Sequence, residues 1–192
     1  WLTIENIDRV PDMTSVEKER AKAEAKMIIA THYADMFRNY GGILYLDHAI
    51  LVDETHYFER LTVEESVATI VRLIDEAAPA LEWKVSDPND DGRMTKAYAL
   101  GLKLRVLLFA ASPLFNSNEP YMEGTASDER LTWYGNYDQN RWKVAEEAGR
   151  EFMQALAENG QYDLVQAATN SEEGYREAYR TAYFTRGNPE VL

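Results

Sequence analysis

Five aromatic rings, Phe115, Tyr121, Trp133, Tyr134 and Tyr137, fall within one polar stretch from Ser112 to Asp138, beside Asn116, Asn118, Asp128 and Asn136. Flat apolar faces next to planar amide and carboxylate groups are what a ligand with C–H faces and a hydroxyl rim requires, which is the chemistry of a sugar. Tyr121, Trp133, Tyr134 and Tyr137 are therefore the candidate ligand contacts. The same rings would serve equally to fold the stretch back onto its neighbours, and composition alone leaves both readings open. Trp142 is different, because it falls in register with Ala145, Ala148 and Phe152 and is expected in the core.

Other chemistry has little support. The chain holds no cysteine, which removes disulfides, thiol catalysis and cysteine-ligated zinc together. His32, His48 and His56 lack metal-ligand spacing, and no G-x-S-x-G elbow or glycine-rich phosphate loop occurs. No cofactor and no catalysis are expected. Asp87, Asn89, Asp91 and Gly92 match the first half of a calcium loop, but Tyr98 stands where the bidentate Glu belongs. That cluster reads as an acidic turn leading to a helix capped by Thr95. With 20 Lys+Arg against 33 Asp+Glu the net charge is -13, so a nucleic-acid backbone would meet repulsion.

The elements that must position these residues are helical. Thr14 with Glu17 and Thr62 with Glu65 form capping boxes, each followed by apolar residues at helical spacing. Helices are predicted near 14–40, 62–78, 95–111, 139–158 and 171–184. Gly41-Gly42 ends the first, and residues 43–61 are mostly loop with an extended start. Between Thr95 and Ala111 apolar residues surround the helix axis, which predicts the most buried element of the fold. With 45% apolar content over 192 residues, one domain is expected, built from stacked helical pairs. No apolar run approaches the roughly 20 residues that span a bilayer.

The stretch Arg93 to Asn116, RMTKAYALGLKLRVLLFAASPLFN, closely resembles a segment of SusD/RagB-type nutrient-binding lipoproteins. Tyr40-Gly41-Gly42, Arg60 to Glu65, Arg141-Trp142 and Asn188 to Val191 are similar to further family segments in the same order, while Ile29 and Leu44 depart from its usual Arg and Pro. The resemblance implies an all-α, tetratricopeptide-like scaffold of stacked helical pairs with long variable loops. It implies that residues 1–192 are one helical domain, an interior part of a longer SusD-like protein. It further implies oligosaccharide or other nutrient binding on the outer face of the outer membrane. Delivery to a SusC-like TonB-dependent transporter, and a lipid anchor outside this chain, follow from the same likeness. Two other readings compete: an intracellular helical-repeat scaffold for protein tails, and a glycosidase whose acid pair the sequence does not single out.

Overall fold

The computed structural model describes residues 1–54 and 57–190. Seven α-helices follow one another in these residues: α1 Leu2–Asn6, α2 Ser15–Tyr40, α3 Val63–Ala77, α4 Lys96–Ala110, α5 Thr125–Asp128, α6 Asn140–Asn159 and α7 Glu172–Phe184. The protein is all-α; among the described residues the only ladder contact is a single antiparallel bridge between Leu44 and Arg60. The five long helices lie within a residue or two of the ranges expected from capping and periodicity. The one-turn helices α1 and α5 are too short to carry a period and escaped that reading. His56 and the strand expected to begin at Val191-Leu192 lie outside the described residues.

Local chemistry starts the helices. Thr14 Oγ1 accepts from Glu17 N while Glu17 Oε2 accepts from Thr14 N, and Thr62 and Glu65 repeat the arrangement at α3. Each box satisfies amides that a helix start leaves unpaired. Thr95 and Ser171 cap α4 and α7 through their hydroxyls.

Packing joins the helices in antiparallel neighbours. α2 lies against α3, α3 against α4, and α4 against α6. The last contact is close because α6 offers Ala145, Ala148 and Gly149; a Cβ added at Gly149 would sit 3.5 Å from Leu104. Lys103 on α4 bridges Asp75 of α3 and Glu151 of α6 at 2.9 and 3.1 Å. Burial opposes its charge, but the two carboxylate hydrogen bonds outweigh that and hold its pKa above the usual lysine value.

The core centres on α3, not on α4. Val63, Ile70, Leu73 and Ile74 are fully buried against Met27, Ala30 and Phe37 of α2. Ser66 sits among them without penalty, because its Oγ donates to Thr62 O and accepts from Ile43 N. The expectation for 95–111 needs correction. Ala99, Leu102, Val106 and Ala110 are buried, yet Leu108 is 49% exposed. An all-round apolar pattern requires neighbours on every side, and in these residues the Leu108 side has none. Trp142, expected in the core, lies 39% exposed on the same side of the molecule for the same reason.

Candidate functional site

The aromatic stretch is a structured loop seated on the exit of α2. Phe115 enters the core, its ring stacked on Phe37 at 4.9 Å and edge-on to Phe109 at 5.3 Å. Gly42 N donates to Leu131 O at 2.6 Å, and Val63 N donates to Arg130 O at 3.0 Å. Gly41 has φ +74°, and a Cβ at either Gly41 or Gly42 would collide with a backbone carbonyl, of Leu131 or Leu61 respectively. The Gly-Gly pair thus does more than end a helix: it lets the loop backbone approach.

Two residues close the base of the loop. Asn116 Nδ2 donates to Asp138 O at 3.0 Å, and its Oδ1 accepts from Asp138 N at 2.8 Å and Arg141 Nη1 at 2.7 Å. Arg141 also binds Asn136 through both its carbonyl and its side chain, and its guanidinium lies 3.8 Å from the centre of the Tyr134 ring. Neither role was foreseen. Asn116 read only as one polar group among several, because its bonds to Asp138 and Arg141 span 22 and 25 residues, and Arg141 read only as part of a family signature, because no motif marks its local bonds to the loop.

The four candidate contacts separate. Tyr134 is only 8% exposed, packed in the core under Arg141, and burial pushes its pKa up to about 12 despite the opposing guanidinium. It has no free ring face for a ligand and serves to fold the loop back. Tyr121 and Tyr137 are 84% and 47% exposed. Trp133 is half-buried, its Nε1 donating to Ser127 O at 2.9 Å, and it lines an open groove of 690 Å³ with Glu123, Asp128 and Arg130. Tyr121 and Tyr137 stand outside that groove. Arg130 has φ +58°, an uncommon left-handed backbone for a residue with a side chain, and it is held there by the Val63 hydrogen bond. The groove therefore offers one indole face, a cation and two carboxylates.

The acidic turn is occupied with its own bonds. Asp87 Oδ1 accepts from both nitrogens of Asn89, and Asp91 pairs with Arg186. No group of three His, Asp or Glu side chains with metal-site geometry occurs among the described residues. His48 instead sits between Asp47 and Glu54 at 2.6 and 2.8 Å. Hydrogen bonds from Asp47 first, then Glu54, raise its pKa above the usual imidazole value. No helix among the described residues is long and apolar enough to cross a membrane.

Solved structures share the helical fold. The protein BT4246 superposes on the whole chain with a TM-score of 0.80 and 25% identity, the match covering 37% of BT4246. A SusD-like protein, BF3747 from Bacteroides fragilis, aligns over 95% of this chain and 28% of its own with a TM-score of 0.65 and 20% identity. The chain has the SusD-like helical fold. Surface glycan-binding protein A from Bacteroides uniformis matches 90% of the chain, and 32% of its own, with a TM-score of 0.60 and 14% identity. The chain spans about a third of the length of these SusD-like and glycan-binding structures. No protein-family model and no curated protein matches it.

Proposed function

We propose that the protein binds oligosaccharides, without turning them over, on the outer face of the outer membrane. We further propose that it passes them to a SusC-like TonB-dependent transporter, with a lipid anchor lying outside these residues. In a protein of the length of its solved neighbours, residues 1–192 form a helical domain that carries the loop. The observation that carries the reading is the half-buried Trp133 on the 690 Å³ groove, flanked by Glu123, Asp128 and Arg130, on a SusD-like scaffold. One sugar stacked on the indole would bury roughly 100 Å² of apolar surface, worth about 2.5 kcal/mol before ordering costs. That magnitude suits a site that must release its ligand to a transporter. Tyr121 and Tyr137 offer further exposed rings at the loop surface.

The test uses the full-length protein. A glycan array identifies the ligand, and calorimetry then compares wild type with Trp133→Ala. The variant is expected to lose about 1 to 3 kcal/mol of affinity, roughly five- to a hundredfold, with little change in thermal stability. Lost stability with unchanged affinity would make Trp133 a fastening of the loop and sink the proposal. Co-isolation of the protein with an outer-membrane β-barrel from solubilised membranes tests the transporter partnership separately.

A further inference from the structure

A second groove, with a separate lining, lies on the helical scaffold. It runs between α2 and α4, has a volume of 630 Å³, and is rimmed by the exposed Trp142 of α6 and by Leu108. Thr31 and Tyr98, whose hydroxyls hydrogen-bond at 3.0 Å, sit in its wall, so the lining has polar handles as well as ring faces. That size lies in the range of small-ligand sites.

Charge decides what the groove suits. Several cations between the helices are spoken for: Arg20 and Arg93 by Glu24, Lys22 by Asp8, Lys26 by Glu76, Lys103 by Asp75 and Glu151. Arg38 and Arg105 are not. Both line the groove, and neither has an ion-pair or hydrogen-bond partner among the described residues, although the chain carries 33 acidic residues. Asp35, also in the lining, forms no ion pair and leaves its oxygens open to hydroxyl donors. Two guanidinium groups against one carboxylate give the groove a local positive balance on a chain of net charge -13. A guanidinium recognises a carboxylate through paired, charge-assisted hydrogen bonds, and its plane sits comfortably beside apolar surface.

The geometry points to this groove as a binding site for an acidic carbohydrate, a uronic-acid unit whose carboxylate meets Arg38 and Arg105 while its ring lies against Trp142. The inference rests on the reading of the protein as a carbohydrate binder, but it concerns a site separate from the Trp133 loop.

Calorimetry on the full-length protein tests it with glucuronate-, galacturonate- and mannuronate-containing oligosaccharides, each beside its methyl-esterified form. At least one acidic oligosaccharide is expected to bind at least about tenfold more tightly than its ester, and more weakly as salt is raised. The double variant R38Q/R105Q should abolish that preference, R38K/R105K should restore part of it, and Trp133→Ala should leave it unchanged. Esters that bind as well as acids, or acids that fail to bind throughout, overturn the inference whether or not neutral glycans bind the loop. Loss of the acidic preference in Trp133→Ala but not in R38Q/R105Q would place the acid in the loop groove and also overturn it. An acidic peptide that binds through Arg38 and Arg105 where no uronide does would make the groove a protein-docking surface instead. Because the ester comparison changes the ligand and not the protein, the result does not depend on the arginine variants folding.

Discussion

Tyr134 is held by two opposing influences that a pH series can separate. Burial disfavours its phenolate and Arg141 favours it; burial wins, so the folded pKa is about 12 against an ordinary 10.0. A folded pKa above the unfolded one means that the unfolded chain loses its proton first as pH rises. The contribution is therefore complete below pH 10 and lost as pH climbs towards 12. The difference corresponds to about 3 kcal/mol at most. Chemical denaturation at pH 9 and pH 11.5 should show a steeper loss for wild type than for Tyr134→Phe; equal slopes would mean that the ring is not buried in solution. His48 carries a matching expectation at lower pH. Its NMR titration midpoint should lie above that of an unstructured histidine, and Glu54→Gln together with Asp47→Asn should bring it down.

At the scale of elements, the joint between α2 and the aromatic loop depends on absent side chains. Gly42 brings its amide to 2.6 Å from Leu131 O while Leu61 O lies where a Cβ would stand. Gly42→Ala must push either the loop or the start of α3 away, and the expected cost is at least about 2 kcal/mol. In the full-length protein the same change should weaken the glycan binding proposed for Trp133, since the loop would lose its seat. Alanine tolerated at Gly42 in both stability and binding would contradict that coupling. A helix stop signal in the sequence and a docking platform in the fold are here the same two residues.

Over the whole molecule, burial is graded from α3 outward. Ile70 and Leu73 are fully enclosed, whereas among the described residues α7 packs against no other helix and has no buried residue; Tyr175, Tyr179 and Tyr183 all face outward from it. Hydrogen exchange should find the amides of α3 best protected and those of α7 least. Ile70→Ala or Leu73→Ala should cost about 2 to 5 kcal/mol, against about 1 kcal/mol or less for Leu108→Ala. In 1–192 alone, equal costs at Ile70 and Leu108 would move the centre of the core to α4.

Helix positions were legible because the interactions that set them span three or four residues. Thr14 with Glu17, Thr62 with Glu65 and the Gly-Gly stop act within one turn, so order and type of every long helix could be read before any contact was known. The all-α class came from the same local patterns, while the likeness to SusD-type segments rested on the stretch Arg93 to Asn116 and its companion segments. Which side of each helix is covered is a different kind of fact. Leu108 and Trp142 sit in apolar registers yet face outward, and Tyr134 sits in a polar loop yet is buried, because the loop folds it into the core cluster that α2, α3 and α4 supply. The loop's ring types were visible from the start, but their division into fasteners, Phe115 and Tyr134, and open faces, Tyr121, Tyr137 and Trp133, was not. Side-chain exposure is decided by contacts between residues far apart in sequence, and only the packed arrangement of α2, α3, α4 and α6 brings Arg38 and Arg105 to one groove.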